Sequence, residues 1–218
     1  MTQPSALLDR PATVSLARPR GRVATSWVVR MIPWTLATSS LVLLLVNRPA
    51  WDVGLGFYAV DTTVAVLYGG VAGVLLERRT HPVIWVLAVM AIGCALSSFA
   101  FQYTLLLQEH HGLPFAGFFA YAGSWAWMPG TFASILVLPW LLTSNRLNPL
   151  ELTGAGTGIV ISLGITVASM TTTYPGPVQN PLGVPSWQSF QDFAFEWIFL
   201  VTVVLGLVFG PTVSGWRG

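Results

Sequence analysis

Residues 83–107 read VIWVLAVMAIGCALSSFAFQYTLLL and contain no Asp, Glu, Lys or Arg. A bilayer core about 30 Å thick is crossed by about 20 apolar residues in an α-helix, so this stretch is long enough and apolar enough to span a membrane. Five further stretches of this kind lie on either side of it, and the sequence predicts an all-α integral membrane protein built as a six-transmembrane-helix bundle. The predicted spans are 28–46, 55–76, 83–107, 115–142, 152–172 and 193–213.

The composition excludes an ordinary water-soluble domain. Of the 218 residues, 54% are hydrophobic and only 8% are charged, against about 25% charged residues in a typical soluble domain. Cys94 is the only cysteine, which excludes an internal disulfide and a multi-cysteine metal cluster. We divide the chain into a disordered basic cytoplasmic tail, residues 1–26, and a six-helix transmembrane domain, residues 27–218.

The arginines predict the orientation in the membrane. All ten basic residues are Arg, and Arg48 is the only one in a loop on the other side of the predicted bundle from the rest. This asymmetry is the positive-inside pattern, and it places both termini in the cytoplasm of a multi-pass protein of the cytoplasmic membrane. We expect the tail arginines to contact anionic lipid headgroups rather than nucleic acid. The nine arginines on the predicted cytoplasmic side are Arg10, Arg18, Arg20, Arg22, Arg30, Arg78, Arg79, Arg146 and Arg217.

Motifs of known catalytic chemistry are missing from the sequence. There is no H-E-x-x-H, no G-x-S-x-G and no lysine for a Schiff base or a phosphate clamp, so we expect no enzymatic activity and no cofactor. Three G-x-x-x-G pairs occur at Gly69–Gly73, Gly154–Gly158 and Gly206–Gly210. Such pairs let helix backbones approach closely in lipid, which predicts a tightly packed bundle or a homodimer.

Two carboxylates lie inside predicted spans, where a charged group is expensive and usually functional. Asp61 lies in the second span and Glu196 in the sixth, both towards the extracytoplasmic side, which Asp192 and Arg48 flank. The two carboxylates could share a proton, bind a cation or pair with Arg48. The alternative is that both are solvated in the headgroup region. We take all four residues as candidates for ligand sensing.

Two further groups are weaker candidates. Glu109, His110 and His111 form a short external loop, for which we favour a hydrophilic turn over a metal or pH site. Trp125 and Trp127 lie inside the fourth span and either line a ligand cavity or pack against the core or lipid. Pro129 follows them, and with the length of this span it predicts a kink or a strong tilt.

Several ordered motifs resemble a known family. They are HPVIW at 81–85, LSSFA at 96–100 with Tyr103, GSWAWMPG at 123–130 and NPLGVP at 180–185. Together they resemble the N-terminal membrane region of actinobacterial two-component sensor histidine kinases, over roughly residues 30–210. That family has Asn-Pro-x-Gly-Trp at the start of one helix, Ser-Trp-x-Trp-x-Pro in the next and then a Pro-Asp-Gly-Arg-Leu-Pro-like turn. This chain departs from the family at His81 and at 143–145.

The resemblance implies a membrane sensor for signal transduction. A kinase core of this family needs at least two hundred residues after the last span, and only five follow residue 213 here, so we expect the signal-input half without its catalytic domains. The expected partners are the lipid bilayer and either a separate kinase or a second copy. A small transporter or channel subunit is the alternative function, and an integral-membrane enzyme is the least favoured.

Overall fold

The computed structural model describes residues 20–110, 112–142, 148–173, 180, 182–193 and the single positions 197, 200 and 204. Every regular element in this part of the chain is helical, as the sequence predicts. The helices are α1 (Arg20–Asn47), α2 (Val53–Arg78), α3 (Pro82–Glu109), α4 (Ala116–Trp125), α5 (Met128–Leu136), α6 (Leu138–Leu141), α7 (Pro149–Met170) and α8 (Gln188–Phe193), the last preceded by a 3₁₀ turn at Pro185–Trp187.

Four of these helices are long and apolar enough to cross a membrane, namely those at Gly21–Asn47, Val53–Arg78, Pro82–Gln108 and Pro149–Met170. Their outward faces carry large apolar side chains. Leu45, Phe57 and Val160 expose 73%, 70% and 70% of their surface, which in water would be an aggregation liability and in lipid is the expected solvent-facing surface. The chain is therefore a membrane protein.

Helix α3 lies at the centre of the bundle. It contacts α1 and α2 on one side and α4 and α5 on the other, while α7 packs against α5 and α6. Its small buried residues Ala91, Cys94 and Ala95 allow neighbouring helices to approach from both sides. Antiparallel neighbours place the end of α1 beside the start of α2, and we name this end of the bundle the Asn47 end and the opposite one the Arg30 end.

Local capping explains where the long helices begin and end. Arg48 adopts a left-handed φ of 45° and is followed by Pro49, a combination that ends α1. The Asp52 side chain accepts a hydrogen bond from the Leu55 N–H at 2.7 Å and starts α2. His81 caps α3 in the same way, with its ring Nδ1 3.4 Å from the Val83 N–H.

Helix α1 begins earlier than the sequence predicts. It starts at Arg20, so residues 20–26 are helical and not part of a disordered tail. The reason is tertiary, because the Ser26 hydroxyl donates a hydrogen bond of 2.8 Å to Glu77 on α2 and attaches this turn to the bundle. Residues 1–19 of the predicted tail lie outside the described residues.

The predicted fourth span is interrupted twice. α4 ends at Trp125 and α5 begins at Met128, so the helix is interrupted just before Pro129, where the sequence predicts a kink or a strong tilt. A second, unpredicted break at Val137 precedes Pro139. Because proline has no N–H, the carbonyls of Trp125 and Ile135 lose their usual helical donors. The predicted sixth span, 193–213, lies almost entirely outside the described residues.

The first two glycine pairs pack inside the chain. A Cβ on Gly69 would lie 2.6 Å from Pro33 Cγ, and one on Gly73 would overlap the Arg30 side chain, so both glycines face α1. In the second pair, Gly158 lies against the Leu136 carbonyl at the end of α5 and Gly154 against Trp140. These close approaches agree with the predicted tight packing.

Candidate functional site

Asp61 lies on α2, eight residues after its start, or about 12 Å along the helix axis at 1.5 Å per residue. Its side chain is half-buried and faces α3, where the Ser97 hydroxyl and the Cys94 thiol are within hydrogen-bonding reach of the carboxylate. Both of these neighbours are buried. The carboxylate therefore lies at a helix interface and not on the lipid-facing side of α2.

Ser97 has a second acceptor on the other side of α3. Its Oγ lies 3.3 Å from the carbonyl oxygen of Gly123 on α4. A hydroxyl carries a single proton, so Ser97 donates to either Asp61 or Gly123 at any one time. Helices α3 and α4 approach closely here: a Cβ added to Gly123 would lie only 2.7 Å from the Ala100 Cβ.

Cys94 provides a parallel connection to α5. Its thiol interacts with the Asp61 carboxylate on one side and with the Thr131 hydroxyl on the other. Thr131 lies in the first turn of α5, directly after the break that Pro129 introduces. Asp61, Cys94, Ser97 and Thr131, which we name the Asp61 cluster, thus join α2 through α3 to both segments of the interrupted helix.

A second polar group lies nearer the Asn47 end. Asn47, at the last residue of α1, donates through Nδ2 to the backbone carbonyl of Gln102 at 2.8 Å and to its Oε1 at 3.0 Å. Gln102 is fully buried and Tyr58 is 4% exposed. Among the described residues, Asn47 Oδ1, Gln102 Nε2 and the Tyr58 hydroxyl are buried without a hydrogen-bond partner. We name these three residues the Gln102 cluster for their unpartnered buried atoms; the hydrogen bonds within it join Asn47 to Gln102, and Tyr58 stacks on Phe101, the next residue in sequence.

The remaining charged candidates do not join Asp61 in the described residues. Arg48 is exposed, and its Nε lies 3.4 Å from the Leu45 carbonyl, so pairing of Arg48 with Asp61 is not found. The helix-ending backbone conformation of Arg48 accounts for this position. Asp192 is exposed on α8. Glu196 lies outside the described residues, and the predicted proximity of Glu196 to Asp61 stays a prediction.

The two tryptophans of the fourth span have different surroundings. Trp127 stacks on Phe132 at a centroid distance of 6.2 Å and packs against the apolar cluster that contains Cys94. Trp125 packs edge-on against Tyr121 at 5.9 Å, and its indole Nε1 is buried without a partner in the described part of the chain. Trp127 is therefore a core residue beside the Asp61 cluster.

The predicted loop of Glu109, His110 and His111 begins where α3 ends. His110 is exposed, and its backbone N–H caps the helix by bonding to the Leu106 carbonyl at 3.0 Å. The Glu109 side chain and His111 lie outside what the structure describes. Within the described residues, no three His, Cys, Asp or Glu side chains are grouped to hold a metal ion.

Sequence reasoning missed an ion pair near the Arg30 end. Arg30 and Glu77 approach to 2.6 Å between Nη2 and Oε1, with only 17% and 22% of their side chains exposed. The Trp27 ring lies 5.8 Å from the guanidinium of Arg30, which adds a cation–π contact. An arginine within one predicted span and a glutamate directly after the next are the sequence signal for this pair.

The polar stripe on α3 was also missed. Cys94, Ser98 and Gln102 follow one another at intervals of four residues, with Ser97 three residues after Cys94, so these polar residues share one face of α3. A stripe of this kind opposite an intramembrane carboxylate is the signal that could have located the Asp61 cluster.

Comparison with known proteins finds no matching family model, no matching curated protein and no matching solved structure.

Proposed function

We propose that the protein is a membrane signal-input module in which the state of Asp61 sets the packing of α3 against the interrupted helix α4–α5. The observation that carries this proposal is the branched contact of Asp61, through Ser97 to the Gly123 carbonyl and through Cys94 to Thr131. A change at one carboxylate therefore alters hydrogen bonding on both sides of the helix break.

The free energy of the hydrogen bonds that depend on Asp61 is large enough to shift the chain between two packings. Gaining or losing one hydrogen bond is worth about 0.5–1.5 kcal/mol, and about 1.4 kcal/mol changes an equilibrium tenfold. A ligand shifts two packings only by its differential affinity for them. Two hydrogen bonds that depend on Asp61 supply enough differential free energy to change the populations measurably.

For the whole chain we propose six spans with both termini in the cytoplasm of the cell membrane. In this arrangement α4, α5 and α6 together form the fourth span, and residues 193–213 form the sixth. The distribution of the arginines supports the orientation. Under this topology the Asn47 end and the Asp61 cluster lie towards the outside.

The proposed output is a change passed to a partner, with no catalytic activity of the chain itself. The motifs at 81–85, 96–100, 123–130 and 180–185, which resemble those of actinobacterial sensor histidine kinases, support a kinase as that partner. A second copy is the alternative partner. Of the three glycine pairs, we propose Gly206–Gly210 for that contact, because the other two pairs contact helices of the same chain.

The test is a chimera that joins residues 1–213 to a heterologous histidine kinase core and is scored for output in membranes. Asp61→Asn should lock the output in one state. Asp52→Asn is the matched control, because it also removes a carboxylate from the start of α2 yet keeps an N-cap oxygen for Leu55. An Asp61→Asn chimera that responds to envelope stress, lipid change and small molecules as the unmodified chimera does would refute the proposal.

A second candidate function is a small transporter or channel subunit. The observation that favours it is an intramembrane carboxylate connected to a discontinuous helix, since transporters build their midplane sites from broken helices. Purified protein in liposomes distinguishes the two functions, because only a transporter moves a solute across the bilayer.

A further inference from the structure

We propose that the ligand of Asp61 is a proton, which reaches the carboxylate from the Asn47 end through water held by the Gln102 cluster. This inference rests on the proposed function in taking Asp61 as the input of the module. It adds the chemical identity of the signal and the route by which it enters.

The first support is the unmatched hydrogen-bonding capacity of the Gln102 cluster. In the described part of the chain, an N–H donor at Gln102 Nε2, an acceptor at Asn47 Oδ1 and a hydroxyl at Tyr58 are buried without partners. Buried polar groups are almost always satisfied, and water commonly satisfies them with two to four hydrogen bonds. This mixture of donor, acceptor and hydroxyl matches water, which both donates and accepts.

The second support is the position of these groups between the end of the bundle and Asp61. Asn47 is the last residue of α1 and is bonded to Gln102 on α3. Tyr58 stacks at 6.0 Å on Phe101, the neighbour of Gln102. Tyr58 also lies three residues before Asp61 on α2, so both side chains emerge from the same face of this helix.

The donors around Asp61 favour a proton over a metal cation. Ca²⁺ needs six to eight oxygen ligands and Mg²⁺ needs a near-ideal octahedron. The described neighbours of the carboxylate are one thiol and one hydroxyl, which can donate hydrogen bonds to it. They stabilise a bare carboxylate but do not complete the ligand set of a hard cation.

Among the described residues, the charged groups near Asp61 include no cation that could neutralise it, which leaves a proton for that role. On α3, the titratable group that faces Asp61 is the Cys94 thiol. On α5, the uncharged Thr131 contacts this thiol. On α2 the other charged side chains are Asp52 near its start and Glu77 and Arg78 at its end. On α1, Arg30 is paired with Glu77. No described cation therefore neutralises Asp61.

The proposed step is the transfer of one proton from hydronium to Asp61. Hydronium in the Gln102 cluster transfers a proton to a carboxylate oxygen of Asp61, an O–H bond forms, and water is left behind. The charge of Asp61 changes from −1 to 0, which weakens it as an acceptor. The Ser97 proton is then free to bond to the Gly123 carbonyl 3.3 Å away, so proton binding tightens the contact between α3 and α4.

The experiment follows the carboxyl infrared band of the full chain in liposomes after a jump in external pH. A band that titrates in the unmodified protein should vanish in Asp61→Asn and persist in Asp52→Asn. Tyr58→Phe and Gln102→Leu should keep the band but slow its appearance by about a hundredfold, the lower range for a positioned proton-transfer group.

Three outcomes would overturn the inference. They are a titrating band that survives Asp61→Asn, unchanged kinetics in both Tyr58→Phe and Gln102→Leu, and a band that Na⁺ displaces at constant pH, which would make the ligand a cation. The infrared experiment tests the proton site independently of the signalling function, which the kinase chimera tests. A band that depends on Asp61 with a chimera that ignores Asp61→Asn supports the proton site and refutes the signalling function.

Discussion

The Ser97 hydroxyl on α3 lies 3.3 Å from the Gly123 carbonyl on α4, and the same hydroxyl faces Asp61 on α2. One proton thus serves two acceptors on opposite sides of the central helix. In a membrane interior few waters compete for such a proton, so the choice between the two acceptors is coupled to the charge on Asp61.

Replacing Ser97 with Ala should uncouple the carboxylate from α4. We expect the Ser97→Ala chimera to be inserted and folded but to lose most of its signal-dependent change in kinase output. Ser98→Ala is the control, because the Ser98 hydroxyl bonds to Ala95 of its own helix at 3.1 Å. Equal responses of the two variants would show that Ser97 does not transmit the signal.

The interface of α3 with α4 and α5 should not tolerate a methyl group. A Cβ on Gly93 would overlap the Ala126 carbonyl oxygen, and one on Gly130 would overlap the Met90 backbone. We expect Gly93→Ala and Gly130→Ala to destabilise the folded protein by about 1–3 kcal/mol, the usual cost of overpacking. Unfolding in mixed detergent micelles measures the change.

The control for this prediction is Gly156→Ala on α7, where no described heavy atom lies within 4 Å of the added Cβ. Because Ala has the higher helix propensity, this variant should be neutral or stabilising by up to about 1 kcal/mol. A loss of stability at Gly156 equal to that at Gly93 would mean that steric overlap at the interface of α3 with α5 is not the cause of the loss.

The ion pair of Arg30 with Glu77 should contribute measurably to stability. The two side chains are largely shielded from solvent, and charge-assisted hydrogen bonds of this kind contribute about 1.5–3 kcal/mol. A double-mutant cycle with Arg30→Met and Glu77→Gln should therefore give a coupling free energy of about 1–3 kcal/mol. Arg78→Gln, at an exposed position beside it, should change the unfolding free energy by less than about 0.5 kcal/mol.

The parts of the fold that depend on local sequence were predictable. Long apolar runs predict α1, α2, α3 and α7, and Pro129 predicts the break in the fourth span, because hydropathy and a missing N–H act within one helix. Asp61 was identifiable for the same reason, as a charge in an apolar run. The early start of α1 at Arg20 was not predictable, since it depends on a contact of Ser26 with another helix.

The partners of Asp61 could not be predicted, because they depend on the rotation of each helix about its axis. In lipid, apolar faces are nearly equivalent, and small residues and hydrogen bonds set this rotation. Gly93 and Gly130 bring α5 close to α3, which places Thr131 beside Cys94. The sequence shows these residues, but the pairing of Gly93 with Ala126 emerges only when both helices are present.

The proposed topology predicts the activity of reporter fusions. A periplasm-dependent reporter placed after Gly112 or after residue 177 should be active, whereas fusions after Arg79 or after residue 146 should be inactive. The reason is that positively charged loops stay in the cytoplasm, and Arg78, Arg79 and Arg146 lie in such loops. Activity of the fusion after residue 146 would contradict the orientation.

Asn180 should hold the end of α7. Its Nδ2 donates to the carbonyls of Met170 at 2.8 Å and Thr172 at 2.7 Å, and its Oδ1 accepts from the Leu182 N–H at 2.9 Å. The unpaired carbonyls at a helix end need such donors. Asn180→Ala removes all three bonds, and Asn180→Asp keeps only the acceptor.

We therefore expect hydrogen exchange at the Leu182 amide to remain slow in Asn180→Asp and to accelerate about fivefold in Asn180→Ala, as loss of one hydrogen bond of about 1 kcal/mol implies. The Val184 amide, which bonds to the Thr171 carbonyl at 2.9 Å, should exchange faster in both variants, because both lose the donors that hold the end of α7. Gln188→Ala, which removes only an exposed acceptor for Thr173, serves as the control. If Leu182 exchanges equally fast in the Ala and Asp variants, the Asn180 side chain is not what orders this turn.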